Sequence, residues 1–126
     1  MKLTKSELEI MNVLWNAERP LTRSDILSLS EGKTWKDNSI HILLNGLLKK
    51  EAIREDGFAR SGKVWGRLYA PNISIDEYYE ENVFSQSSLE TVPRLFSALL
   101  NRNDLTPAVL TQIRTILDKK DAELKQ

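Results

Sequence analysis

The sequence predicts a mainly α-helical chain with one small β-hairpin, and three observations carry that expectation. Threonine and serine caps recur with an acid three residues on, leucines recur at three- and four-residue spacing, and two short apolar runs flank a glycine-containing turn. A length of 126 residues suits one domain with an appendage rather than two full domains. With 40% apolar and 29% charged residues, the chain has the composition of an ordered globular protein.

Taken in order, Thr4 and Glu7 fit a capping box, with Leu3 in place as a hydrophobic staple. The helix that follows runs to about Ala17, buries Leu8, Met11, Leu14 and Trp15, and is stopped by Pro20. Pro20-Leu21-Thr22 reads as extended, with Leu21 placed to pair briefly with a sheet. Thr22 and Asp25 form a second cap, and Ile26, Leu27 and Leu29 supply a short helix ending near Gly32. A third helix starts at Lys36 or Asp37 and runs to about Lys50. Its Ile40, Leu43, Leu44, Leu47 and Leu48 share one face and pack inward. The other face carries Asn38, His41, Ile42, Asn45 and Lys49, with Ser39 and Gly46 at its edge.

Residues 53–56 and 64–69 read as the two strands of a hairpin around a polar turn holding Gly57 and Gly62, closed by Pro71 and Asn72. Trp15 and Trp65 are assigned to the core. Ser74 and Glu77 open a further helix containing Tyr78, Tyr79, Val83 and Phe84, and the polar stretch 85–88 breaks or bends it. Val92, Leu95, Phe96, Leu99 and Leu100 form a second apolar stripe. Thr106-Pro107 opens the last helix, with Leu110, Ile113 and Leu117. The expected division is a head at 1–72 and a helical tail at 73–126.

Three helices followed by a hairpin is the order of a winged helix-turn-helix, in which the third helix enters the major groove of double-stranded DNA and the hairpin lies along the backbone. The chain's net charge is zero, but its distribution is not even. Residues 1–72 hold 12 basic and 9 acidic side chains, and residues 33–67 hold 8 and 4. The basic excess therefore falls on the third helix and the hairpin. Lys36, Asn38, Ser39, His41, Asn45 and Lys49 are the candidate contacts on the helix, and Ile42 either meets a thymine methyl or tucks against the core edge. Arg60, Lys63 and Arg67 are candidate phosphate contacts on the wing, with Arg67 equally placed to pair with an acid. Gly46 either lets the backbone approach DNA closely or is simply tolerated, at about 1 kcal/mol relative to alanine.

Other functions find less support. There is no cysteine, one histidine, no glycine-rich phosphate loop and no spaced set of metal ligands, so neither an enzyme nor a metal or cofactor site is expected. The absence of cysteine and of an apolar leader leads us to expect a cytoplasmic protein, and no apolar run is long enough for membrane insertion. The competing reading is a winged-helix module that binds protein rather than DNA. The tail stripes Val92, Leu95, Phe96, Leu99, Leu100, Leu110, Ile113 and Leu117 belong to helices too short to stand alone, so they either meet an identical tail across a two-fold axis or fold back on the head. A homodimer is the favoured expectation.

The run Leu3-Thr4-Lys5-Ser6-Glu7-Leu8-Glu9-Ile10-Met11-Asn12-Val13-Leu14-Trp15 resembles the opening helix of the penicillinase-repressor (BlaI/MecI) family, with its pattern E-x-x-(V/I)-M-x-x-(L/I)-W. Trp35-Lys36-Asp37-Asn38-Ser39-Ile40-His41-Ile42-Leu43-Leu44-Asn45-Gly46-Leu47-Leu48-Lys49-Lys50-Glu51-Ala52-Ile53 is similar to its recognition helix, and Asp104-Leu105-Thr106 onward to its final dimerisation helix. The resemblance implies a homodimeric transcriptional repressor on a palindromic operator, with intertwined tails. It also implies induction by proteolysis near Ala98 and Leu99, by a membrane sensor protease that detects β-lactams. The chain departs from the family pattern at His41 and Gly46, where arginines usually stand. Arginine is the side chain best suited to bidentate contact with guanine, so base readout would pass to Asn38, Ser39 and Asn45. A copper-responsive branch with a C-terminal cysteine cluster is set aside by the lack of cysteine.

Overall fold

A computed structural model of the chain describes residues 1–61 and 63–126; Gly62, expected in the hairpin turn, lies outside the described residues. The elements run α1 (Lys5–Ala17), β1 (Leu21–Thr22), α2 (Arg23–Leu29), a 3-10 turn (Asp37–Ser39), α3 (Ile40–Lys49), β2 (Ile53–Ser61), β3 (Val64–Pro71) and α4 (Ile75–Asn82). Two further 3-10 turns (Phe84–Gln86, Leu89–Thr91) lead to α5 (Val92–Leu100) and α6 (Pro107–Leu124). The fold is mostly helical with a small three-stranded antiparallel sheet, in the order β1-β3-β2.

The caps form as the spacing requires. The Glu7 amide donates to Thr4 Oγ1 at 3.2 Å and the Thr4 amide donates back to Glu7 Oε1 at 2.9 Å. Thr22 and Asp25 repeat the exchange at 3.1 Å each way. Thr106 Oγ1 accepts from the Val109 amide, with Pro107 in the first turn of α6, where its missing N–H leaves no bond unmade.

The chain divides into two compact units, Met1–Gln86 and Ser87–Gln126. The head core is built from Ile10, Met11 and Leu14 of α1, Ile26 of α2, Ile40, Leu44 and Leu47 of α3, and Leu21, Trp35, Ala52 and Ile53. Contacts place the boundary beyond the one expected at residue 72, because α4 packs on the head. Tyr78 is buried, its ring lies 5.9 Å from that of Trp15, and the Met1 ammonium pairs with Glu81 at 2.9 Å. Trp15 also donates from Nε1 to the Ile73 carbonyl at 2.9 Å, pinning the approach to α4 against α1.

The hairpin differs from expectation in two respects. Strand β2 continues through the stretch read as a turn, to Ser61. A register shift between Glu55 and Phe58 absorbs the irregularity, and Gly57 there takes φ of +90°, a conformation that glycine adopts without strain. Trp65 is not core: it is 65% exposed on β3, because the distal half of the hairpin extends beyond the layer that α1 and α3 cover.

In the second unit Phe96, Leu100, Leu110 and Ile113 are half-buried, whereas Val92, Leu95, Leu99 and Leu117 are exposed. Leu89, Ile116 and Leu124, which the stripe did not include, are 86%, 67% and 75% exposed. Among the described residues of this unit, none is buried. No helix of the described residues is long and apolar enough to cross a membrane.

The tightest polar node of the head joins α1 to the end of α3. Glu7 is only 5% exposed, and its Oε1 accepts from the Thr4 amide and from Lys50 Nζ, which also donates to the Lys2 carbonyl at 3.0 Å. Gly46 faces this carboxylate: a Cβ there would lie 2.9 Å from Glu7 Oε2. A side chain at 46 would therefore meet the end of Glu7 on α1. Alanine at 46 would favour the helix by about 1 kcal/mol but must displace the carboxylate. We expect Gly46→Ala to gain less stability, by about 0.5 kcal/mol or more, in the native background than alongside Glu7→Ala. Denaturant unfolding of the four proteins of that cycle measures this, and equal gains in both backgrounds would refute the contact.

Burial alone would raise the pKa of Glu7, but the Lys50 ammonium and the Thr4 amide outweigh it and hold the carboxyl below its ordinary 4.5. A depressed carboxyl contributes stability that is fully present above its unfolded value and is lost as pH falls through the folded one. Stability should therefore fall below about pH 4.5, and Glu7→Gln should flatten that acid limb. Unfolding midpoints between about pH 6 and about pH 3 test it. A constant gap between the two proteins across that range would sink the assignment.

Candidate nucleic-acid interface

The leucine side of α3 is anchored in the core, so its opposite side has to face outward. Asn38, His41, Asn45 and Lys49 are exposed there, Lys36 is exposed just before the 3-10 turn, and Ser39 is half-buried at its end. Ile42 is 75% exposed and is not part of the core edge. The 3-10 turn at Asp37–Ser39 tightens the entry to the helix, and Lys33 pairs with Asp37 at 2.7 Å to hold it. Glu9 supports the same approach from α1: its Oε1 accepts from the Thr34 amide at 2.9 Å and its Oε2 from the Thr34 hydroxyl at 2.6 Å. The Thr34 hydroxyl, above all, holds the Glu9 carboxyl below its ordinary value.

On the wing Arg60, Lys63 and Arg67 are all exposed. Arg67 Nη1 donates to Glu55 Oε1 at 2.9 Å across the hairpin, the acid pairing that its strand position offered. An exposed pair of this kind contributes little to stability and yields readily to a stronger anion.

Between α3 and the wing lies a cavity of about 540 Å³. Arg23, His41 and Asn45 line it from the helices, and Trp65, Arg67 and Tyr69 line it from β3. Arg23 opens α2, and its Nη1 lies 2.6 Å from Nε2 and 3.1 Å from Nδ1 of His41, so a ring nitrogen accepts from the guanidinium. The geometry thus gathers His41, Asn45 and Arg67 along one cleft, while Lys36, Asn38 and Lys49 spread along the exposed side of α3 and Arg60 and Lys63 stand on the distal wing.

Two residues of this surface escaped the sequence reading. Arg23 meets His41, 18 residues on, through the packing of α2 beside α3, a tertiary arrangement with no local signal. Trp65 did have a signal. It stands two and four residues before Arg67 and Tyr69 on a strand, where alternate side chains share a face. That periodicity groups it with Arg67, but Tyr69 on the same face packs against the core, so the outward position of Trp65 needed the sheet as well.

A family model for the penicillinase repressor matches residues 3–119. The penicillinase repressor of Bacillus licheniformis is 33% identical over 100 residues, which are 79% of this chain and 70% of that protein. An uncharacterized 16.5 kDa protein in the ptsI 3′ region of Latilactobacillus sakei is 25% identical over 125 residues, 96% of this chain and 82% of that one. Among solved structures, the monomeric form of Bacillus licheniformis BlaI in complex with the blaP half-operator is similar, with 29% identity, a TM-score of 0.45, and coverage of 62% of this chain and 89% of that one. The family match enters at the staple before α1, takes in α3 and the wing, and ends within α6, so the chain belongs to the penicillinase repressor family and is a transcriptional repressor.

Proposed function

We propose that the protein represses transcription as a homodimer on a palindromic operator, with α3 of each copy in the major groove and the wing on the flanking backbone. One observation carries this reading: the polar side of α3 is presented to solvent while its leucine side is held in the core. Asn38 and Asn45 serve as base readers, with Ser39 and His41 beside them and Ile42 against a thymine methyl. Lys36, Lys49, Arg60, Lys63 and Arg67 take phosphates, Arg67 by exchanging Glu55 for a phosphate oxygen. A protein that reads chromosomal operators works in the cytoplasm.

Dimerisation falls to the second unit. The exposure of Leu89, Ile116 and Leu124, beside the half-buried Phe96, Leu100, Leu110 and Ile113, supports an identical tail as partner. Family membership supports a route of induction, cleavage of the tail by a membrane sensor protease in a β-lactam-type response. Ala98 and Leu99 are exposed in the last turn of α5, and a cut between them detaches α6 from the head.

Duplex DNA from the protein's own promoter region should bind with affinity that falls steeply with salt. Replacing Asn38 and Asn45 together with Ala should weaken that binding by about 10-fold to 100-fold, with less than about threefold loss on an unrelated duplex of equal length. Equal losses on both duplexes would remove these amides from base readout. A chain ending at Gln86 should be monomeric by light scattering and should bind the promoter duplex on the order of 100-fold more weakly, because two linked half-sites become one. A dimer in that shortened chain would refute assembly through the tail.

A further inference from the structure

The distal wing carries an arrangement that phosphate contact alone does not explain. Phe58 stands opposite Arg67 and Arg60 opposite Trp65 in the β2–β3 register. Directly opposed residues of an antiparallel pair share a face, as do residues two apart on one strand. Phe58, Arg60, Trp65 and Arg67 therefore form a checkerboard of two aromatic rings and two guanidinium groups on one side of the hairpin. Both rings are open to solvent, Phe58 at 64% and Trp65 at 65%. Wing cations that served only as phosphate contacts would have no use for exposed rings between them.

The charges select the occupant of this face. A second copy would bring four guanidinium groups together against only the two Glu55 carboxylates that pair with Arg67. A nucleic-acid duplex brings phosphates to the cations and the flat apolar faces of sugars and bases to the rings. The face is also continuous with the surface of α3, since Trp65 and Arg67 share one cavity wall opposite His41 and Asn45. A duplex seated along α3 thus reaches Trp65 without leaving the same cleft.

We propose that Trp65 is a wedge for the DNA minor groove, its indole packing on sugar and base surfaces between phosphates held by Arg60 and Arg67. Side chains that press into the minor groove favour steps that open easily, so Trp65 gives this repressor a preference for deformable sequence beyond the bases that α3 touches. The role of Trp65 rests on α3 being seated in the major groove, as proposed above.

The test uses the full chain and a labelled duplex from its own promoter region, with anisotropy reporting affinity and tryptophan emission reporting the ring. Of the three tryptophans, Trp35 is buried and Trp15 is half-buried against Tyr78, so a change in emission on binding reports mainly Trp65. DNA should change the emission of the unmodified chain, and Trp65→Phe should abolish that change while keeping affinity within about threefold. Trp65→Ala should weaken binding about tenfold, with the dependence on salt unaltered because no phosphate contact is lost. Binding by Trp65→Ala within about twofold of the unmodified chain, or persistence of the emission change in Trp65→Phe, overturns the wedge while leaving α3 as reader. Intact DNA binding by Trp65→Ala with an altered oligomeric mass assigns the face to a second copy and also overturns it. If the unmodified chain fails to bind the promoter duplex, both the wedge and the seating of α3 fall together.

Discussion

The head depends on one buried carboxylate. Glu7 closes the cap of α1, receives Lys50 from the end of α3 and lies against Gly46 in the middle of that helix. An unpaired buried carboxylate would be costly, and here the capping amide and the lysine ammonium satisfy it. Because these partners come from two helices, satisfying one charge adds a polar tie to the α1–α3 packing that the leucines of α3 set. The leucines of α3 turn inward and its amides outward. The candidate surface thus depends on packing on the other side of the helix.

That arrangement explains how a chain of zero net charge can serve as a DNA-binding protein. Affinity for a polyanion depends on where cations sit rather than on their sum. Several acids of the head are occupied with structure: Glu7 with Lys50, Asp25 with the Thr22 cap, Glu9 with Thr34, Glu55 with Arg67. They are withdrawn from the face that α3 presents or are held by a cation that a phosphate can take over.

Much of the fold was legible because it is written in local rules. The boxes at Thr4/Glu7 and Thr22/Asp25 and the leucine period of α3 each need only a few neighbouring residues to be read, and each forms as spaced. The features that escaped depend on contacts distant in sequence. Nothing near Gly46 announces that Glu7, 39 positions earlier, fills the space beside it. The polar stretch after Asp56 looks like a turn, yet pairing with β3 carries it on as strand once Gly57 absorbs the bulge. Helix α4 reads as the start of the tail, and the ring of Trp15 on Tyr78 and the pairing of Met1 with Glu81 show that it packs on the head. On the candidate interface, the amide face of α3 was readable from periodicity, whereas Arg23 and the outward turn of Trp65 needed the sheet.

The short strand β1 has a mechanical meaning. Thr22 caps α2 with its hydroxyl while its backbone pairs with Leu68 of the wing, and its methyl group would touch a Cβ at Gly66. One residue thus joins the helix pair to the hairpin. The cleft between α3 and the wing is tied at its base by a residue that serves both sides. In the proposed complex, the elasticity of the nucleic acid would enter wherever a duplex does not match that spacing.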